Sequence, residues 1–130
     1  MISKFQPGDK KQYYKKVKQD DVAAFDSGEV HPVYSTFALA RDVEWAGRLF
    51  VLEMKEDDEE GIGTSLSIEH RSPALVGEEV SIESEIMSIN KNEVSCTYEV
   101  YVGERLIAKG TQAQKILKKT DLEKKFTTLK

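Results

Sequence analysis

The stretch STFALARDVEWAGRLFVLEMK, Ser35 to Lys55, decides the fold, together with the run that answers it, GIGTSLSIEH, Gly61 to His70. The first reads as one long helix. Ser35 or Thr36 can cap its N-terminus by accepting a bond from a free backbone N–H. At 100° per residue, Leu39, Ala40, Val43, Gly47, Phe50, Val51 and Met54 form one apolar arc. Ala38, Trp45, Leu49 and Leu52 form a second arc on the other side. Two thin charged seams separate them, Arg41, Glu44, Arg48 and Lys55 on one, Asp42 and Glu53 on the other. A helix apolar on two sides needs two surfaces to pack against. One is its own sheet; the other is a covering loop or a partner subunit.

From Ile62 the apolar period switches from that of a helix to two. Ile62, Thr64, Leu66, Ile68 and His70 share one face of a strand, and Ser65, Ser67, Glu69 and Arg71 take the other. Pro73 and Gly77 mark a bend. Val80, Ile82, Ser84, Ile86 and Ser88 line the next strand, with Glu83 and Glu85 outward. Asn90-Lys91-Asn92 is turn chemistry. Val94, Cys96, Tyr98, Val100 and Val102 line a third strand, Gly103-Glu104 turns the chain, and Leu106 to Leu117 makes a fourth. Short turns between successive strands predict an antiparallel meander. Upstream, KKQYYKKVK at 10–18 reads as a lysine-protected edge strand. Asp20 to Val33 has no sustained period and reads as a loop or lid. Lys55 to Glu60, KEDDEE, is a solvated turn. Thr120-Asp121-Leu122-Glu123 has capping-box spacing and predicts a short C-terminal helix. One α+β domain over residues 1–130, a curled antiparallel sheet wrapped around one long central helix, is the economical solution.

Composition narrows the function. Residues are 39% hydrophobic and 32% charged, as in soluble globular proteins. A net charge of −4 gives no field to attract a phosphate backbone, so nucleic acid is not an expected partner. No apolar run approaches the roughly 20 residues that span a bilayer, so no membrane is expected. The N-terminus lacks the apolar core of a signal peptide, and one cysteine forms no internal disulfide; both fit the cytoplasm. Two histidines, one cysteine and no ligand-spaced cluster predict no metal site.

The order of elements resembles the hotdog fold. Ser35-Thr36-Phe37, then Val43-Glu44-Trp45-Ala46, then Gly63-Thr64 leading to Glu69-His70, resemble the fluoroacetyl-CoA thioesterase family of hotdog proteins. The glutamate follows the threonine by 8 residues and the histidine follows the glutamate by 26, as in that family. The resemblance runs roughly from Pro7 to Leu117. It implies an acyl-CoA thioesterase with catalytic residues Thr36, Glu44 and His70, and with coenzyme A present only as part of the substrate. It further implies a homodimer with sites at the interface, where Thr36 and Glu44 of one subunit meet the histidine of the other. Gly63 and Phe37 join the substrate-binding set. Two positions depart from the fluoroacetyl-specific pattern: Gln114 stands in place of an arginine, and Val30 in place of a gating phenylalanine. Fluoroacetyl specificity is therefore not carried over.

The residue types suit the chemistry. A thioester is an activated acyl group, and its hydrolysis needs a nucleophile or base, donors for the oxyanion and a dry pocket. Glu44 either attacks or activates water. His70 activates water or protonates the departing thiolate. Thr36 orients the others or attacks itself. Backbone N–H groups near Thr36 and Phe37 suit an oxyanion because they lack intrahelical partners. Ordinary structural roles compete: a helix-face ion pair of Glu44 with Arg41 or Arg48, a hydrogen-bonded core histidine at His70, an N-cap at Thr36. Trp45 and Cys96 read as packing, and His31 has no assigned role. The reading from another class is a non-catalytic module that binds an acyl-CoA or an acyl-carrier thioester.

Overall fold

A computed structural model describes all residues 1–130. The elements run β1 (Lys10–Lys16), a 3-10 turn (Gln19–Asp21), β2 (Val22–Phe25), β3 (Gly28–Tyr34), α1 (Thr36–Met54), β4 (Glu59–His70), β5 (Glu79–Asn90), β6 (Glu93–Val102), β7 (Arg105–Lys118) and α2 (Lys119–Thr128). Five strands form one antiparallel sheet in the order β1-β5-β6-β7-β4. The sheet curls around α1, whose buried stripe is Ala38, Leu39, Asp42, Val43, Ala46, Gly47, Phe50, Val51 and Met54. Val80, Ile82, Ile86, Val94, Cys96, Tyr98, Val100 and Ile107 meet that stripe from the sheet. Cys96 is a core residue, and burial pushes its thiol pKa up, away from reactivity.

The predicted helix, the lysine-rich edge strand and the turns at Lys91 and Gly103 stand as expected. Lys91 and Gly103 both take left-handed backbone angles, φ 58° and 57°. Four expectations change. The segment read as a loop is a hairpin, β2–β3, turned at Gly28 (φ 109°). Its strands shift register at Val22/Ala23 and again at Ala23/Ala24, which erases the period of two by which a strand is recognised. The meander holds only for β5-β6-β7. After His70 the chain crosses the end of the sheet, and β4 pairs with β7 at the far edge. The C-terminal helix begins at Lys119, and its cap position, Lys118, makes no side-chain cap bond, so the expected capping box does not start it.

The fourth change concerns β4. Its register against β7 shifts between Gly63 and Ser65, leaving Thr64 as an extra residue. Gly61 and Gly63 pair with the inward-facing Ile116 and Gln114, whereas Leu66, Ile68 and His70 pair with Gln112, Gly110 and Ala108. The inner face therefore runs 61, 63, then 66, 68, 70. Ile62 and Thr64 do not share it.

Close packing leans on small residues. A Cβ at Gly110 would lie 2.1 Å from the Ser67 carbonyl oxygen and 2.8 Å from the Tyr98 hydroxyl. The space at Gly110 lets Tyr98 reach across β7 and donate to that same carbonyl, at 2.7 Å. Gly110→Ala should therefore lower stability by about 1–3 kcal/mol, since backbone must yield. The shift of the urea midpoint measures it, and an unchanged midpoint would contradict this packing.

Candidate active site

The first turn of α1 and the end of β4 meet. Ser35 is the N-cap: its hydroxyl accepts from the Ala38 N–H at 3.0 Å. The Thr36 hydroxyl is thereby left free, and its Oγ1 lies 2.9 Å from His70 Nδ1. The N-cap role considered for Thr36 belongs to Ser35. The backbone N–H groups of Thr36 and Phe37 keep no intrahelical partner, because Ser35 serves Ala38 and Leu39.

His70 is half-buried, and its Nε2 is buried without a hydrogen-bond partner. Burial lowers its pKa below the ordinary histidine value, partly opposed by the Ser72 backbone, so the ring is neutral at pH 7. Buried ring nitrogens are normally satisfied. Nδ1 is the nitrogen that faces the Thr36 hydroxyl, and it is placed to exchange a proton with it.

Glu44 lies further along the same side of the helix, eight residues or about 12 Å of axial rise from Thr36. Its Oε1 leans over β4, 2.3 Å from the point a Gly63 Cβ would occupy. Glycine is needed there for close approach. Neither arginine pairs with Glu44: Arg41 binds Asp21 and Asp42, and Arg48 binds Glu60 at 2.8 Å. The helix-face ion pair considered for Glu44 does not form.

Between these two places Leu66 points toward the helix yet stays 41% exposed, so α1 leaves the inner face of β4 open there. Thr36 and His70 lie at one end of this open face and Glu44 over Gly63 at the other. Within one chain it is not closed. None of the surface depressions is lined by Thr36, Glu44 or His70. The meeting of Thr36 with His70 expected across a subunit boundary is made within one chain, because β4 returns past the helix start.

Gln114 is buried, and its Nε2 donates to the Glu44 carbonyl oxygen and to Gln112 Oε1, both at 3.1 Å. It thus holds the backbone of Glu44 from below. Phe37 is exposed on the first turn and meets Phe25 of the hairpin edge-on, ring centroids 5.7 Å apart. Val30 is exposed on β3 of the same hairpin. Phe25 escaped the sequence reading because the hairpin itself did. Gln112 escaped it too, although the clue was Gly47: a Cβ there would lie 1.9 Å from Gln112 Nε2.

A curled antiparallel sheet around a central helix, with these groups on the helix and edge strand, is the hotdog architecture of the thioesterase superfamily. The family described as fluoroacetyl-CoA-specific thioesterase, FlK, matches residues 17–120, and the chain belongs to that family. A hypothetical protein of Thermus thermophilus, a thioesterase superfamily member, is 31% identical; the match covers 98% of this chain and 95% of that one, with a TM-score of 0.93. The fluoroacetyl-CoA thioesterase FlK shares the fold at 17% identity, covering 97% and 98% of the two chains, with a TM-score of 0.89. A mutant of FlK in complex with fluoroacetate and CoA matches at 18% identity over 91% and 99%, with a TM-score of 0.85. No curated protein matches by sequence. No helix is long and apolar enough to cross a membrane.

The lowered His70 pKa has a sign that can be checked. As pH falls, the unfolded imidazole protonates first, near 6.5, and the folded one only lower down. The unfolded state therefore binds more protons in that window, and stability falls with falling pH across it. NMR titration should place His70 below 6.5, and His70→Gln should flatten that part of the stability profile. A value at or above 6.5 would contradict the burial argument.

Proposed function

We propose that this protein hydrolyses a small acyl-CoA thioester, with Thr36, Glu44 and His70 as its working groups. The observation that carries this reading is the Thr36–His70 pair, in which the Thr36 hydroxyl, free of capping duty, stands 2.9 Å from the imidazole Nδ1. Neutral His70 takes the proton of the attacking hydroxyl, from water or from Thr36. A C–O bond forms and the carbonyl oxygen gains negative charge. The free N–H groups of Thr36 and Phe37 face that charge from the helix start. Collapse of the tetrahedral species breaks the C–S bond, and the imidazolium returns its proton to the coenzyme A thiolate. If Thr36 attacks, a second round with water frees the acid. Glu44 supplies a carboxylate that orients water or attacks the carbonyl itself. Val30, Phe37 and Gly63 line the approach, and Gln114 supports the Glu44 backbone.

The working form is a homodimer. Two edges of the sheet are open, and they differ. The β1 edge carries Lys10, Lys11, Lys15 and Lys16, which discourage strand addition. The β4 edge carries no charge from Gly61 to Ile68 and exposes Ile62 and Leu66. Trp45 and Leu52 are exposed on α1. Pairing β4 with a second β4 about a two-fold axis covers Ile62 and Leu66 and closes the open inner face of β4. The two helices then run antiparallel, which brings Glu44 of one chain toward the Thr36–His70 pair of the other.

Thiol release from a panel of short acyl-CoAs should show turnover, falling by about 100-fold or more in Glu44→Ala and in His70→Ala. Tight binding without release would make the chain a binding module instead. Light scattering should report a dimer, and Leu66→Lys should weaken it. If sites are shared, a mixture of the Glu44→Ala and His70→Ala chains, unfolded and refolded together, should recover about a quarter of parental activity through heterodimers with one intact site. No recovery would confine each site to one chain.

A further inference from the structure

Beside the Thr36–His70 pair lies a buried charge cluster that the chemistry above leaves unused. Asp21 and Asp42 are 2% and 4% exposed. Arg41 bridges them, its Nη2 2.8 Å from Asp21 Oδ1 and its Nε 3.0 Å from Asp42 Oδ1. Lys15 Nζ lies 3.4 Å from Asp21 and 3.8 Å from Asp42. The Tyr34 hydroxyl donates to Asp42 Oδ2 at 2.5 Å. Burial opposes ionisation of Asp21, but the Arg41 bond, the Lys18 N–H and Lys15 outweigh it and hold its pKa below the usual range. Burial and then Asp42 push the Tyr34 pKa well up, so its proton stays in place.

The placement of these bonds matters more than their sum. Asp21 is the last residue before the β2–β3 hairpin and Tyr34 is its last residue. Both roots of the hairpin are thus tied to consecutive helix residues, Arg41 and Asp42. The Asp21 carbonyl also accepts from the Ser35 N–H at 2.8 Å, and the Tyr34 N–H donates to the Ala74 carbonyl at 2.8 Å. Thr36 follows directly. Its position is set by the two residues before it, and each is held by this cluster. Stability alone is a weak account, because buried ion groups are often replaced by apolar ones at no loss. The Tyr34 ring is packed in the core, and a phenyl ring would fill that space equally.

We propose that Tyr34 and Asp42 are positioning residues: their hydrogen bond fixes the helix entry so that the Thr36 hydroxyl stands against His70. The inference rests on Thr36 and His70 being the working pair. Its test therefore has one arm that needs no turnover. Ring-nitrogen NMR of His70 is followed with pH in the parent, Thr36→Val, Tyr34→Phe, Asp42→Ala and the Tyr34→Phe/Thr36→Val double variant, with melting curves confirming folding. Thiol release is measured on the same set.

Tyr34→Phe cuts the Tyr34–Asp42 bond alone, and Asp42→Ala cuts it together with the Arg41 and Lys15 contacts. Both should move the His70 titration in the direction set by Thr36→Val, and the double variant should move it no further. The two cuts should also lower kcat by about 10-fold or more with KM within about twofold, the signature of misplaced groups rather than lost binding. A His70 titration unmoved by Tyr34→Phe overturns the proposal, and so does a shift seen in Asp42→Ala alone. Absence of thiol release from the parent, with the NMR shifts present, overturns the hydrolase reading and leaves the positioning role standing.

Discussion

One extra residue in an edge strand organises the site. Gly63 and His70 are seven apart, an odd number, and in a regular strand they would face opposite sides. The bulge at Thr64 turns them to the same side. With it, the strand offers glycine where Glu44 needs to approach and a histidine where Thr36 waits. Bulges near functional sites re-aim side chains in this way.

The helix comes close to β4 and β7 because small residues allow it. Gly47 admits Gln112, Gly61 admits Val51, and Gly63 admits the Glu44 carboxylate. A methyl group at any of the three would displace the side chain it meets, which at Gly63 is the movable Glu44 carboxylate. Gln114 then bonds the Glu44 carbonyl from below. Polar groups here sit at helix depth with partners, as burial requires. Two buried side-chain atoms lack one, His70 Nε2 and Ser84 Oγ. The cap at Ser35 does the complementary thing on the helix: by taking the structural duty, it releases the neighbouring hydroxyl.

Much of this was legible beforehand. The long helix, its buried stripe and the later strands follow from periods of 3.6 and 2, which depend on local sequence alone. Glu44 and His70 stood out as polar residues in apolar contexts, Thr36 entered through the family resemblance, and the family assignment agrees with that resemblance. The β2–β3 hairpin was not legible, because two register shifts in four residues of β2 leave no alternation to count. The Asp21–Arg41–Asp42–Tyr34 cluster was not legible either. Its members come from three elements, and Asp42 read as one more surface charge on a helix seam.

The sequence by itself determined the elements and the inventory of reactive groups, since helix and strand patterning and the capping hydroxyls are short-range properties. Tertiary structure decided which groups meet. Thr36 chose His70 over a capping bond, Arg41 and Arg48 turned from Glu44 to acids elsewhere in the chain, and β4 took the far edge of the sheet. Those outcomes depend on strand order and on a one-residue shift in register. Each is fixed by packing between segments distant in the chain, and local patterning carries no record of it.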